Sequence, residues 1–262
     1  TLRIVHQFEE GQIREQLVSL NGPVRTLTRE KGRVTCELSD SHSISVPGHG
    51  IKHDLLRARA FDPEAFADHY LVHPLGEARI AGRQADVVGI VPGDRLRYGY
   101  RFYLDRESGL PLKSDLMGQD SVPIEQIMFT SLQVLAAGER LPVATLPTLE
   151  PRQGDAVAQV PESVAWEFVE LPAGFVLAMH DSWRDTSGQQ VVHFLLSDGL
   201  ASVSVYVESD PPEGLEGATR IGAVHAAGNR VSDHQVTVVG EVPSVTVEAV
   251  LAGIRHKGGE LR

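Results

Sequence analysis

The residue type best suited to metal chemistry in this chain is histidine, of which there are eleven. Two of them, His69 and His73, stand four residues apart, a spacing that places two ligands on one face of a helix. Three more share one polar stretch, at His42, His49 and His53. No cysteine or carboxylate completes a recognisable ligand set with either group, and Pro74 disfavours a helix through His73. We therefore predict neither a metal site nor a cofactor.

Nucleophilic chemistry has little support. The one cysteine, Cys36, lies in the strand pattern VTCEL, where a half-buried small side chain is the simplest interpretation. The chain has no G-x-S-x-G motif and no glycine-rich phosphate loop. We therefore predict a binding protein rather than an enzyme.

Arginine gives a second kind of candidate site, because its planar fork matches phosphate geometry. Arg95, Arg97 and Arg101 fall on one face of a predicted strand. One interpretation is a polar outer face of a sheet, and the other is a site for phosphate or an acidic lipid headgroup. The headgroup candidates are Arg57, Arg59, Arg79, Arg83, Arg95 and Arg97.

The strand that carries these arginines alternates in the segment RLRYGYRFYLDRESGLPLKSDLM, residues 95–117. Its aromatic face indicates a half-buried strand, and DRESG supplies a turn before the next strand. That face must meet a packed core or a lipid. The candidates for lining a lipid cavity are Leu55, Leu56, Phe66, Tyr70, Tyr98, Tyr100 and Phe102.

The first half is predicted to be a long antiparallel sheet interrupted by a helical insert. Alternation and turn residues predict strands at 1–8, 12–20, 23–30, 33–39, 77–80, 83–91, 98–104, 110–117 and 125–135, with a loop at 40–51. Two short helices are predicted at Leu55–Arg59 and Pro63–Tyr70, the second beginning after Asp62-Pro63.

A proline-rich stretch then separates the second half, which gives domains at 1–138 and 164–262 with a linker at 139–163. The second domain has predicted strands at 175–183, 190–197, 200–208, 219–226 and 235–240. A helix beginning at Pro243 carries apolar residues at helical spacing. The fold class is therefore α+β, with a small antiparallel sheet and one covering helix in the second domain.

Charge and length set further limits. The 262 residues carry a net charge of −11, which argues against nucleic acid as a partner. Residues 1–150 contribute −3 of this and residues 151–262 contribute −8. No apolar run reaches the roughly 18–20 residues that span a bilayer. The chain begins without methionine inside a strand pattern, so we expect an export signal to lie outside it.

The acidic second domain is the expected contact for a protein partner, since it could attract a basic segment and offer a strand edge to it. An exposed tryptophan is a good anchor for such a partner. The candidates are Trp183, Arg184, Phe194 and Tyr206, of which alternation predicts that some belong to the core.

The order of several segments resembles the RseB/MucB family of periplasmic regulators of the envelope-stress sigma factor. The resemblance rests on YGYRFYLDRES followed by GLPLKSDLM, then VAWEFVELPAGF, SDGLASVSVYVE and VTVVGEVP before a helix, and it covers nearly the whole chain. It implies that the first domain is a half-open β-barrel similar to the lipoprotein carriers LolA and LolB, with helices in its concave face.

The resemblance also implies a function. The protein would bind the periplasmic part of a membrane-bound anti-sigma factor, protect it from the site-1 protease, and release it in response to lipopolysaccharide or a related lipid. A homo-oligomer is left open. The alternative is a periplasmic lipid or lipoprotein carrier of the LolA type, for which residues 1–135 would suffice. A hydrolase using the same cleft is a weaker third possibility.

Overall fold

The computed structural model describes residues 1–9, 12–21, 25–30, 33–38, 43–47, 66–136, 165–184, 188–209 and 214–257. Over these residues the chain is mostly antiparallel β-structure, with eighteen strands in four sheets and one α-helix. None of the described sheets closes on itself. The residues fall into two compact units, one formed by 1–57 and 133–156 and the other by 58–132 and 157–262.

The first unit contains a five-stranded meander in which each strand pairs with the next along the chain. Its strands are β1 (Leu2–Glu9), β2 (Gln12–Ser19), β3 (Arg25–Glu30), β4 (Arg33–Leu38) and β5 (Ser43–Pro47). The first four confirm the predicted strands. The prediction of a loop at 40–51 is wrong for the central residues, because Ser43–Pro47 form strand β5, which pairs with β4.

The middle sheet belongs to the second unit and has the order β10-β9-β8-β7-β6. Its strands are β6 (Tyr70–Ile80), β7 (Arg83–Pro92), β8 (Gly99–Asp105), β9 (Pro111–Met117) and β10 (Pro123–Met128). The strands predicted from alternation are confirmed in β7, β8 and β9. The last predicted strand is too long, because ladder pairing between β10 and β9 ends at Met128.

The entry into this sheet differs from the prediction of a helix over Pro63–Tyr70. Phe66 and Ala67 are helical, but Tyr70 already pairs with Pro92 as the first residue of β6. His69 therefore lies in a turn and His73 in a strand, and they do not share a helix face. Pairing along the whole of β7 outweighs the local helical signal, and a bulge between Pro74 and Gly76 accommodates the proline.

The C-terminal sheet has six strands in the order β12-β13-β14-β17-β16-β15. They are β12 (Val176–Arg184), β13 (Gln190–Ser197), β14 (Ser202–Ser209), β15 (Gly217–Ile221), β16 (Val224–Val231) and β17 (His234–Gly240). Helix α1 (Ser244–Gly253) packs against β16 and β17, which confirms the predicted covering helix. The two short strands β11 (Trp166–Phe168) and β18 (Ile254–His256) pair with each other and were not predicted.

The core of this unit lies between the C-terminal sheet and α1. Val205 and Val238 on the sheet, and Val247 and Val250 on the helix, have no exposed surface. Full burial of such a side chain contributes about 1.5–3 kcal/mol, so this layer is a main source of stability.

One predicted strand of this sheet is wrong. The segment 219–226 forms the facing ends of two strands, β15 and β16, joined at Gly222 and Ala223. Gly222 has a φ of +61°, which glycine adopts without the steric penalty of a side chain. The turn therefore reverses the chain where apolar alternation alone indicated a continuous strand.

The predicted half-open barrel and its helical insert stay predictions, since Leu55–Arg59 and residues 63–65 lie outside the described residues. The same holds for the predicted domain boundaries at 138 and 163, because residues 137–164 are likewise outside them.

Candidate partner and ligand surfaces

A buried ionic network joins the middle sheet to the C-terminal sheet within the second unit. The side chain of Arg97 has no exposed surface, and its Nη1 donates to Asp198 Oδ2 over 2.7 Å. Its Nε donates to Asp94 Oδ1 over 3.0 Å, and its Nη2 donates to the carbonyl oxygen of Ala173. Each hydrogen-bonding edge of the guanidinium therefore has a partner.

Both carboxylate oxygens of Asp198 also accept hydrogen bonds. Its Oδ1 accepts from the backbone N–H groups of Leu200 and Ala201 at 2.9 and 2.7 Å, in the turn between β13 and β14. Its Oδ2 also accepts from the hydroxyl of Tyr70 at 2.8 Å. Burial, followed by the negative charge of Asp198, raises the pKa of Tyr70 well above its usual value, so the hydroxyl stays a donor.

Aromatic rings enclose this network. The Arg97 guanidinium carbon lies 5.5 Å from the centre of the Tyr70 ring and 5.2 Å from that of Phe175. Tyr70 in turn stacks on Phe66, with ring centres 4.6 Å apart. The rings exclude water and strengthen the ion pair, because the local dielectric constant is low.

The described headgroup candidates do not converge on one place. Arg83 pairs with Asp105 at 2.8 Å and with Glu107 at 2.6 Å, and this partnership together with Ser108 lowers the pKa of Asp105 to about 2. Arg79 donates to the carbonyl oxygen of Gly82 over 3.3 Å, at the β6–β7 turn. Arg95 is exposed, Arg97 is in the network, and Arg57 and Arg59 lie outside the described residues.

The lipid-cavity candidates separate into two groups. Phe66 and Tyr70 are buried against the Arg97 network. Tyr98, Tyr100 and Phe102 lie along the middle sheet, where the rings of Tyr100 and Phe102 stack with centres 5.4 Å apart. Leu55 and Leu56 lie outside the described residues.

The N-terminal end of that aromatic row is covered by the C-terminal sheet. Tyr98 packs with Leu116 and Ala223, and its hydroxyl lies 3.5 Å from His225 Nδ1. Tyr100 hydrogen-bonds to Glu241, and burial raises the pKa of both groups. Phe102, farther along β8, remains half-buried.

Two of the partner candidates meet on the face of the C-terminal sheet opposite α1. His193 and Tyr206 are directly paired across β13 and β14, and their rings stack with centres 4.5 Å apart. The Trp183 ring meets both edge-on, at 6.2 and 6.5 Å. These three half-buried rings form one surface, which we call the outer aromatic patch.

The other two candidates lie apart from this patch. Phe194 is 2% exposed and points to the opposite face, where it packs edge-on against Phe168. Arg184 is exposed at the end of β12, and its Nη1 donates to the carbonyl oxygen of Gly188 over 2.8 Å. His193 was not among the candidates; it lies on the same face as Tyr206 because the two residues are directly paired, a register that the sequence alone does not give.

A cavity of about 280 Å³ opens on the middle sheet, and its lining includes one lipid-cavity candidate, Tyr100, and one headgroup candidate, Arg97. His73, Gly89 and Arg101 lie side by side across three strands and line it, together with apolar residues that include Leu75 and Met117. The glycine inside the strand pattern of β7 was the available sequence signal, since such a glycine often marks a place where a ligand approaches the backbone.

No group of three or more metal-binding side chains occurs among the described residues. Within that same part of the chain, the one helix is too short to cross a membrane.

Comparison with known proteins places these features in a family. The model of the MucB/RseB N-terminal domain matches residues 1–151, and that of the MucB/RseB C-terminal domain matches residues 160–255. The sigma factor AlgU regulatory protein MucB of Pseudomonas aeruginosa is 33% identical, over 97% of this chain and 81% of that protein. The sigma-E factor regulatory protein RseB of Escherichia coli is 25% identical with the same coverage.

Two solved structures are similar to this chain over 98% of its length. A crystal structure of MucB in complex with MucA(peri) has a TM-score of 0.69 and 32% identity, and covers 98% of this chain and 88% of that one. The complex of MucA and MucB from Pseudomonas aeruginosa has a TM-score of 0.68 and 30% identity, with the same coverage. The two family models together match nearly all of the sequence, so the chain belongs to the MucB/RseB family.

Proposed function

We propose that this protein is a periplasmic negative regulator that binds the periplasmic part of a membrane-bound anti-sigma factor. The observation that carries the proposal is the match over 98% of this chain to MucB in its complex with MucA(peri). Both family domains are present, and a carrier of the LolA type would need only the first. The role is binding and protection rather than catalysis, as expected for a family whose members are named as regulatory proteins.

The outer aromatic patch is the surface we assign to the partner. Trp183 and Tyr206 are residue types that dominate binding energy at interfaces, because they bury a large area with few rotatable bonds. The patch borders β12, which is an edge strand of the described sheet. An extended segment could pair with that edge and place side chains on the rings.

Charge favours a basic segment at this place. Asp181 lies on the same strand face as Trp183, directly opposite His193, and residues 151–262 carry a net charge of −8. Complementary charge mainly raises the association rate and specificity. Arg184, which is exposed at the end of the same strand, would form an ion pair with an acidic residue of the partner.

The Arg97 network gives this surface a fixed support. It ties the β13–β14 turn to the middle sheet, so the two sheets of the second unit resist separation. A partner that contacts both sheets would then lose less conformational entropy on binding, because the surfaces are already positioned. Shielding of a protease site requires such a lasting complex.

Release by lipid is the remaining part of the proposal. The aromatic row of Tyr98, Tyr100 and Phe102 offers apolar surface to acyl chains, since Tyr100 and Phe102 are only half-buried. Lipid at this row would act on the anti-sigma factor through a change in the second unit.

Binding and protease protection test the proposal together. The full chain is mixed with the periplasmic domain of an anti-sigma factor of the MucA type, the affinity is measured by calorimetry, and cleavage by the site-1 protease is followed over time. We expect a complex and slower cleavage, with both effects reversed by lipopolysaccharide but not by vesicles of a neutral phospholipid. Failure to form a complex would refute the proposal, and a complex that is insensitive to lipid would remove only its last part.

A further inference from the structure

We infer that the cavity on the middle sheet is a binding site for a carboxylate carried on a short apolar chain. Its floor is Gly89, in the centre of β7, and its polar sides are His73 on β6 and Arg101 on β8. A β-carbon on Gly89 would lie 3.0 Å from the His73 ring and 3.0 Å from Leu75. The His73 ring and the Leu75 side chain therefore occupy the room that a side chain at this position would take, and a substitution of Gly89 would displace both from the cavity wall.

The two polar groups have unused hydrogen-bonding capacity. Among the described residues, His73 Nδ1 is one of two buried side-chain polar atoms with no hydrogen-bond partner. A buried polar atom in this state costs about 1–3 kcal/mol unless a ligand or water satisfies it. An imidazole nitrogen can donate or accept, so it can bind either oxygen of a carboxyl group.

Arg101 supplies the charge. Its closest acidic group is Asp115, with 4.0 Å between Nη1 and Oδ2. Asp115 is already occupied, because it accepts from Lys113 at 3.0 Å and from Gln126 at 2.8 Å. The guanidinium of Arg101 therefore keeps donors for a ligand, and its fork suits a planar carboxylate.

The other charged groups that line the cavity are Asp94 and Arg97, which pair with each other. Of the two arginines that line the cavity, Arg101 has the longer ion pair, at 4.0 Å, so it is the one that can bind a single carboxylate. Neighbouring strands are about 4.8 Å apart, so the His73 and Arg101 backbones stand roughly 10 Å from each other. A carboxylate held between the two side chains would accept from both, at the usual charge-assisted length of about 2.8 Å.

The apolar walls and the volume limit the rest of the ligand. Leu75, Val91 and Met117 line the cavity beside the polar groups. A volume of about 280 Å³ equals roughly nine water molecules, which admits a chain of several carbons but not a diacyl lipid. The carboxylate could belong to a free short-chain acid or to the C-terminus of a peptide.

Binding of sodium hexanoate to the full chain tests this site, measured by calorimetry or ligand-observed NMR, with hexanamide as the uncharged control. We expect hexanoate to bind and hexanamide to bind at least about tenfold more weakly, since a charge-assisted bidentate contact is lost. Arg101→Met and Gly89→Ala should each weaken hexanoate binding by a similar factor. Arg106→Met is the matched control, because Arg106 is an exposed arginine in the turn directly after β8 and pairs with Asp86.

A second arm identifies the source of the carboxylate. A short alanine–leucine peptide with a free C-terminus is compared with its C-terminal amide, and binding of the free peptide alone assigns the site to a peptide terminus. Arg101→Lys keeps the charge without the fork and guards against a folding defect, which melting curves monitor. Hexanoate affinity that is unchanged in Arg101→Met and Gly89→Ala, equal binding of hexanamide, or binding of neither probe would overturn the inference.

Discussion

Arg97 and Asp198 form an ion pair of 2.7 Å in which neither side chain has any exposed surface, although 101 residues separate them along the chain. The two residues belong to the regions matched by different family models, so the pair crosses from the N-terminal domain to the C-terminal domain. A buried pair of this kind is a weak source of net stability, but loss of one partner leaves an uncompensated charge.

Arg97→Met should therefore destabilise the protein by about 3–5 kcal/mol, since Asp198 would keep its charge in a buried site. Chemical denaturation of the full chain measures the free energy of unfolding. Arg95→Met is the matched control, because Arg95 is exposed two residues away, and it should change stability by less than about 0.5 kcal/mol. Equal effects of the two substitutions would show that the network has no such role.

Trp183 and Phe194 provide a test of the partner surface. Trp183→Ala should weaken binding of the anti-sigma periplasmic domain by about 2 kcal/mol or more, roughly thirtyfold, while the protein stays folded. Phe194→Ala removes a core side chain and should instead lower the free energy of unfolding by about 3–5 kcal/mol. Calorimetric titration and thermal melting separate the two effects. A Trp183 variant with undiminished affinity would remove the outer aromatic patch from the interface.

The lowered pKa of Asp105 predicts how the stability of the protein changes in acid. Its pKa is about 2 in the folded chain, against an ordinary value of 3.8, because Arg83 and Ser108 hydrogen-bond to the charged form. The stabilisation is complete above pH 3.8 and is lost as the pH falls toward 2. Asp105→Asn should lower stability at neutral pH and reduce the decline of stability over that interval. Unfolding curves at successive pH values measure it, and an unchanged slope in the variant would contradict the assignment.

The raised pKa of Glu241 predicts that its contribution to stability changes with pH in the opposite direction. Burial and the nearby charge of Glu125 raise its pKa, while the hydrogen bond from Tyr100 opposes the shift. A carboxyl group with a raised folded-state pKa favours the folded protein in its protonated form, so stability declines as the pH rises through that pKa. Glu241→Gln should therefore be more stable than the natural chain at neutral pH and equal to it in acid. Denaturation at both pH values checks this, and a destabilised variant at neutral pH would show that the charged form is needed.

Local patterns in the sequence were sufficient for most strands and for helix α1. Alternation predicted β7, β8, β9 and β13 closely; burial alternates along β7 and β13, whereas the residues of β8 between its two ends are all half-buried. It failed at Gly222, where a two-residue turn interrupts an apolar run, and at Tyr70, where a long partner strand overrides a helical signal. The first failure comes from a tight turn with a glycine at positive φ, and the second comes from pairing with a strand farther along the chain.

The functional residues were harder to predict for a related reason. Arg97 lies four residues before Arg101, so strand alternation would place both side chains on one face. However, β8 begins only at Gly99, and the direction of the Arg97 side chain is therefore not set by the strand. Its side chain instead reaches a turn in the other domain, which no local pattern indicates. His193 and Phe194 are adjacent in β13 and point to opposite faces, so the alternation of β13 would have separated core from surface there.

The Arg97 network also limits which domains of two family members can be combined in one chimeric chain. Recombination between two relatives at the linker joins residues 1–151 of one protein to residues 160–255 of another. Such a chimera folds well only if both parents supply compatible groups at positions 97 and 198, since either charge alone is buried without a partner. We therefore expect the residues at positions 97 and 198 to vary together among natural members of the family.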